Sequence, residues 1–134
     1  MKEILDPNEI EALADYRLER AWKTLGEVSY LDEGGHYNAA LSRLYYACYY
    51  AVLALFIKNN INASTHAGVK QMLGLHFIIT NKIPQKSGRT YNDLFDMRQS
   101  SDYEDFTYHS HEDVEEMLPK AKEFIQTIEN LINT

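Results

Sequence analysis

Arg98, Asp102 and Tyr103 are the residues whose types and spacing come closest to a chemical site. Arg98 and Asp102 are four positions apart, so a helix places both side chains on one face, where they can form an ion pair. Two interpretations of this pair stay open. It can fix its helix against the rest of the fold, or Asp102 can orient Arg98 toward a phosphate and so create an anion-binding site.

Arg43 is a second candidate, because it lies among apolar residues, where a charge is costly unless it is paired. No acidic residue occurs between Gly34 and Asn92, so we expect its partner to be Asp102 or another acid near the C-terminus. The sequence thus motivates the hypothesis of a buried cluster of Arg43, Asp102 and Arg98.

The histidines offer weaker signals than these charged residues. His66 lies just inside a predicted helix start, where its imidazole can cap the helix, contact a neighbouring helix or bind a ligand. His109 and His111 lie two positions apart, but a metal site needs further ligands at defined spacing. We predict neither a metal nor a cofactor.

Four tyrosines form two pairs with i, i+4 spacing on neighbouring faces of a predicted helix, namely Tyr45, Tyr46, Tyr49 and Tyr50. Stacking on nucleobases is one use of such rings. Packing within the bundle or across a dimer interface is the commoner use, since tyrosine is enriched at interfaces. We therefore predict an interface.

The net charge of −7 argues against nucleic-acid binding, but the distribution of charge does not. The acid-free segment from Gly34 to Asn92 contains six cations: Arg43, Lys58, Lys70, Lys82, Lys86 and Arg89. This asymmetry can create a basic surface on an acidic protein, or it can reflect a segment that is mostly buried helix.

Five helical segments are predicted, with no strand pattern of comparable strength. The first begins at an Asp6/Glu9 capping box and ends at Gly34-Gly35, and the second spans about 36–58. The third begins near Ser64-Thr65, the fourth spans about 90–105 after a turn-rich connection, and the fifth begins at Ser110. Pro119 should kink the fifth helix or delay its start. We predict an all-α, antiparallel up-and-down bundle of four to five helices in a single domain over 1–134.

The compartment predicted from the sequence is the cytoplasm. The single cysteine, Cys48, has no internal partner and suits a reducing environment. No signal peptide is evident, and the most apolar run, from Leu44 to Ile57, is too short to span a bilayer.

Three segments in order resemble the HEPN superfamily, in particular the small prokaryotic HEPN proteins. The second helix reads Tyr-Asn-Ala-Ala-Leu-Ser-Arg-Leu-Tyr-Tyr-Ala from Tyr37, the next opens Thr-His-Ala-Gly-Val from Thr65, and the fourth contains Arg-Gln-Ser-Ser-Asp-Tyr from Arg98. The last helix adds Ala121 and Phe124.

This resemblance implies a helical bundle that pairs as a homodimer, and such proteins are often encoded beside a minimal nucleotidyltransferase. Many such proteins are metal-independent ribonucleases that act as toxins, with the nucleotidyltransferase as antitoxin. Their catalytic motif is an arginine followed, after four to six residues, by a histidine. These two side chains suffice, because cleavage by the 2′-hydroxyl of RNA needs proton transfer and a cation near the phosphorus.

Here the motif lacks its histidine. Position 103 is tyrosine, and the next histidine, His109, follows Arg98 by eleven residues. Tyrosine, with an ordinary pKa near 10, is a poor general base near neutrality. The catalytic candidates are therefore Arg98 and Tyr103, or Arg98 with a histidine distant in sequence.

Three functions follow from these observations. The leading hypothesis is a HEPN-family dimer of a toxin–antitoxin type that binds a nucleotidyltransferase, a nucleotide or RNA near Arg43, His66, Arg98, Asp102 and Tyr103. The second is a metal-independent endoribonuclease toxin that uses Arg98. The third is a structural interaction bundle without catalytic activity.

Overall fold

Described residues of the computed structural model are 4–103 and 107–134, and they form six α-helices, one π-helical turn and no strand. In chain order the helices are α1 (Pro7–Gly26), α2 (Val28–Glu33), α3 (Tyr37–Lys58), α4 (His66–Leu73), α5 (Gln85–Tyr103) and α6 (His111–Ile132). The π-helical turn, Gly74–Ile78, continues directly from α4. The all-α prediction is confirmed.

Contacts between α1 and α3 show that these two helices run antiparallel. Lys58 pairs with Glu11, and the Arg17 side chain donates to the carbonyl of Leu53 at 3.2 Å. At the other end of the pair, Arg43 binds Glu27. Low residue numbers on α1 thus meet high numbers on α3.

The two remaining long helices, α5 and α6, also run antiparallel to each other. Tyr91 of α5 packs on Phe124 of α6 with ring centroids 5.7 Å apart, and Lys86 at the start of α5 pairs with Glu123. Because α5 and α6 are joined by a short connection, they form an antiparallel hairpin. Together α1, α3, α5 and α6 make the predicted up-and-down bundle, with α2 and α4 as short additions.

Helix α3 lies at the centre of the bundle and contacts α1, α2, α5 and α6. It is apolar around most of its circumference, as expected for a helix enclosed by neighbours. Its length and composition would suffice for a membrane span, but most of it is buried inside the bundle, including Leu41, Leu44 and Cys48. It is a core helix, and burial raises the pKa of the Cys48 thiol.

Local signals predicted the helix starts well. Asp6 accepts from the Glu9 backbone at 2.8 Å, while the Glu9 side chain accepts from the Asp6 backbone, so this capping box is confirmed. Ser110 and Asp113 form the same arrangement at the start of α6. Thr65 caps α4 by accepting from the Gly68 backbone at 2.9 Å. Its cap makes His66 the first residue of α4.

Three boundaries differ from the sequence prediction. The first predicted segment is two helices, since α1 ends at Gly26 and α2 follows after Glu27. Helix α5 begins at Gln85, next to Pro84, because the ring of proline preorganises the chain for a first helical turn. Helix α6 begins at His111 and includes Pro119, so a later start is wrong.

Ser110→Ala should lower the free energy of unfolding by about 1 kcal/mol, because the backbone N–H of Asp113 loses its cap. Chemical denaturation followed by circular dichroism measures this change. Ser29→Ala is the matched control, since Ser29 is exposed on α2 and caps no helix. Equal effects of the two substitutions would contradict the assignment of the cap.

Candidate functional site

A buried arginine on α5 is the centre of the candidate site. The side chain of Arg98 is 7% exposed, and its Nε lies 3.2 Å from Oδ2 of Asp102, one turn farther along the helix. The guanidinium carbon lies 5.4 and 5.5 Å from the ring centroids of Tyr45 and Tyr46 on α3. Cation–aromatic contact and the ion pair together compensate for the cost of burying this charge.

The predicted pairing of Arg98 with Asp102 is therefore present. The Asp102 side chain is 39% exposed, so this ion pair reaches the surface of the bundle. A buried cation beside a surface carboxylate is compatible with both interpretations made from the sequence, a structural contact and an oriented anion-binding arginine.

His66 joins this group from another helix. Its Nδ1 lies 2.8 Å from the hydroxyl oxygen of Tyr45, and its ring lies 4.6 Å from the ring of Tyr49, centroid to centroid. The same imidazole is 5.8 Å from the ring of Tyr46. His66 and Arg98 thus flank the same pair of tyrosine rings.

Tyr45 is the buried residue that contacts both His66 and Arg98. Its side chain is fully buried, and its hydroxyl accepts a long hydrogen bond from Tyr91 at 3.5 Å in addition to its contact with His66. Burial raises the pKa of Tyr45 to about 12, so its hydroxyl keeps its proton near neutrality. The predicted interface role does not hold for Tyr45, which is enclosed within one chain. Tyr46, Tyr49 and Tyr50 are half-buried.

The surroundings of His66 favour its neutral form. Burial lowers the pKa of the imidazole below its ordinary value of 6.5, and the positive charge of Arg98 lowers it further. At pH 7 the site therefore pairs a permanent cation with an uncharged base. Sequence reasoning identified His66 as a candidate but could not place it beside Arg98, because 32 positions separate the two residues.

The proposed cluster of Arg43 with Asp102 and Arg98 is wrong. Nε of Arg43 donates to Oε2 of Glu27 at 2.8 Å, and the Arg43 side chain is 37% exposed. Antiparallel packing explains this partner, since it brings the end of α1 beside the start of α3. Arg43 thus lies outside the group around Arg98, within a surface cleft formed mostly by α1 residues.

Tyr103 is the last residue of α5, one position after Asp102, but its side chain lies outside the described residues. Its prediction as a catalytic or binding residue stays a prediction.

A cleft of about 720 Å³ lies between α4 with its π-helical turn and α5, next to the group around Arg98. Lys70 and Arg89 line it, together with apolar side chains that include Leu75, Ile79 and Phe95. The Lys70 ammonium lies 4.6 Å from the ring centroid of Phe95, which itself contacts Tyr45. Among the described residues that line this cleft, none is acidic.

The C-terminal histidines are engaged by carboxylates. His111 lies between Asp32, at 2.9 Å, and Glu115, at 3.1 Å, and both raise its pKa. His109 lies 3.4 Å from Asp113. Within residues 4–103 and 107–134, no group of three or more histidine, cysteine or acidic side chains is arranged to hold a metal ion.

Comparison with known proteins identifies one family whose members this chain resembles. The sequence profile of the HEPN domain family matches residues 14–131. A UPF0332 protein of Thermotoga maritima is 32% identical over 125 residues, which cover 93% of this chain and 95% of that protein. Two proteins of Methanocaldococcus jannaschii, both named as candidate toxins, are 32% and 30% identical. The alignments cover 81% and 98% of this chain, and 74% and 97% of those proteins.

Arg98→Gln should raise the pKa of His66, because it removes the nearby positive charge that disfavours the imidazolium form. An NMR titration of the imidazole Cε1 proton measures the change directly. The pKa of His111, which is raised by Asp32 and Glu115, should stay constant in this variant and serves as the internal control. An unchanged or lowered pKa of His66 would contradict the electrostatic coupling.

Proposed function

The chain belongs to the HEPN domain family, and we propose that it is a toxin-type protein that binds RNA through a phosphate group at Arg98. The arrangement of Arg98 and Asp102 against Tyr45 and Tyr46 carries this proposal. A guanidinium that a carboxylate holds in place is a fitting donor for a phosphate oxygen, since its planar array of N–H groups needs a fixed orientation. The relatives named as candidate toxins give the proposal its biological class.

The ring system beside Arg98 favours a nucleic acid over a free anion. Tyr46 and Tyr49 are half-buried, so part of each ring stays accessible next to the cation. Proteins that bind single-stranded nucleic acid combine such rings, on which bases stack, with cations that bind the backbone. This geometry suits a nucleotide whose phosphate lies at Arg98 and whose base lies near the tyrosines.

The adjacent cleft supplies a path for a longer strand. Ala67 and Gln99 line it and follow His66 and Arg98 in the chain, so the cleft begins beside the candidate site. Lys70 and Arg89 provide positive charge along it, and its described lining contains no acid. In this proposal the acid-free middle of the sequence creates a local basic surface on a protein whose net charge is −7.

The proposal extends to partners and compartment on the strength of the family resemblance. A toxin of this class pairs with a second copy and is neutralised by a nucleotidyltransferase in the cytoplasm. Light scattering of the purified protein tests the homodimer, and co-purification with a minimal nucleotidyltransferase from the same organism tests the second partner. If the protein is a monomer and no nucleotidyltransferase co-purifies with it, both partner proposals are contradicted. RNA binding would then be an activity of the single chain.

Arg89→Gln and Lys70→Gln should each weaken binding to single-stranded RNA and lower the salt dependence of the affinity, because each removes one contact with the backbone. The slope of log Kd against log salt should fall by about 0.7 for each cation removed. Fluorescence anisotropy with a labelled single-stranded RNA measures both quantities. Arg98→Gln should weaken binding further, since it removes the proposed phosphate contact.

Arg43→Gln is the matched control for these variants. It removes an arginine of the same acid-free segment that pairs with Glu27 outside the site, so RNA affinity should stay within about twofold of the unsubstituted protein. Equal loss in all four variants would indicate a nonspecific charge effect. Full affinity in Arg98→Gln would rule out the phosphate contact.

A further inference from the structure

We propose that the cleft between α4 with its π-helical turn and α5 binds an acidic amphipathic helix of another protein. The proposed function uses only the positive charge of this cleft, at Lys70 and Arg89, because contacts with an RNA backbone are mainly electrostatic. The apolar lining of the cleft has no part in that function. Binding of a helix is a separate activity, and only its effect on RNA rests on the proposed function.

Leu75 and Ile79 are the apolar residues that the cleft leaves uncovered. They are 52% and 71% exposed, and both line the cleft from the segment that follows α4. They lie one turn apart, and the N–H of Ile79 donates to the carbonyl of Gly74 at 2.9 Å to close the π-helical turn. The other large apolar side chains that the described residues expose are scattered singly over the chain: Ile4, Tyr16, Tyr30 and Tyr108. Adjacent exposed apolar residues beside a cleft are typical of an interaction site, whereas single ones are not.

The length of the cleft suits a helix. One wall follows residues 67–79 and the other follows residues 85–99, so at 1.5 Å per residue the walls are about 18 and 21 Å long. Gln85, at the start of the second wall, donates to the carbonyl of Ile78, near the end of the first, at 3.1 Å. The walls therefore run side by side in opposite directions. A helix of about 13 residues has this length, and it would place apolar residues at i, i+3, i+4 and i+7 in the cleft.

Charge in the cleft selects the chemistry of the partner. Lys70 and Arg89 line it, and none of its described lining residues is acidic, so carboxylates beside the apolar face of the partner helix would complement them. A second copy of this chain does not fit. A two-fold interface places the same surface on both sides, so these two cations would meet like charges. No other helix in the described part of the chain exposes two large apolar side chains that could enter the cleft.

Gly74 allows the cleft to be filled without disturbing the fold. It lines the cleft, and a β-carbon added there would have open space around it. Its φ of −60° and ψ of −48° are helical values that any residue adopts. Gly26, an exposed residue at the end of α1, also has open space at the position of a β-carbon. Gly26→Leu is therefore the matched control for Gly74→Leu.

The test is fluorescence anisotropy with a labelled synthetic helix of about 14 residues, with leucines on one face at i, i+3, i+4 and i+7 spacing and glutamates beside them. Gly74→Leu should weaken its binding at least about tenfold, because the new side chain occupies the space of a central leucine. Leu75→Ser should also weaken binding and serves as a second variant, since the exposed Leu75 is not needed for folding. Gly26→Leu should bind like the unsubstituted protein, and circular dichroism checks that each variant is folded.

A matched peptide tests the role of charge. With lysine in place of every glutamate it should bind at least about tenfold more weakly, because it brings like charges to Lys70 and Arg89. Excess glutamate peptide should also displace labelled single-stranded RNA from the protein, since both ligands use these two cations.

The outcomes distinguish this inference from the proposed function. Peptide binding without RNA binding would contradict the proposed function and leave the inference standing, whereas RNA binding without peptide binding would overturn the inference alone. Equal affinity for the two peptides would overturn it as nonspecific adhesion, and so would an unchanged affinity in both Gly74→Leu and Leu75→Ser. A dimer that Gly74→Leu converts to a monomer in light scattering would assign the cleft to a second copy and overturn the inference as well.

Discussion

Burial of the Arg98 guanidinium is the constraint around which this region is organised. A cation that is nearly inaccessible to water needs compensation, and three kinds of group provide it here. Asp102 supplies the opposite charge, Tyr45 and Tyr46 present their electron-rich rings, and His66 stays uncharged nearby. Each of these groups comes from a different turn or helix, so the packing of α3, α4 and α5 and the electrostatics of the site depend on one another.

Helix α3 makes this arrangement possible because it is enclosed on nearly all sides. One face carries the small and branched side chains that pack against α1 and α6, and another carries the tyrosines. Tyr45 belongs to both roles: its ring is part of the core, and its hydroxyl reaches the rim, where it meets His66. The helix therefore supplies stability and site geometry through the same residue, so substitutions there act on both.

Local sequence signals predicted what depends on near neighbours. The helix starts at Asp6, near Ser64-Thr65 and at Ser110 were predicted correctly, and so was the pairing of Arg98 with Asp102, because each involves residues three or four positions apart. Long-range partners could not be found this way. Arg43 was assigned to the wrong acid, since only the antiparallel packing of α1 against α3 brings Glu27 to it.

The predicted helix boundaries were wrong where tertiary contacts override the local preference of the residues. Ser87 and Gly88 were placed in a connection, but both belong to α5. Gly88 is accepted there because a β-carbon would lie 3.1 Å from the side chain of Ile78 on the π-helical turn, so the helix and the turn approach closely. Both residues line the cleft beside the site, and no periodicity in the sequence predicts this contact.

The two buried hydroxyls of Tyr45 and Tyr91 also set an upper pH limit for the fold. Burial raises the pKa of both groups, Tyr45 to about 12, above the value of about 10 that tyrosine has in an unfolded chain. Between these values the unfolded chain loses protons that the folded chain retains, so alkali favours unfolding. The stability that these tyrosines provide is complete below about pH 10 and declines above it. The tyrosines that position the site thus also make the folded bundle less stable at high pH.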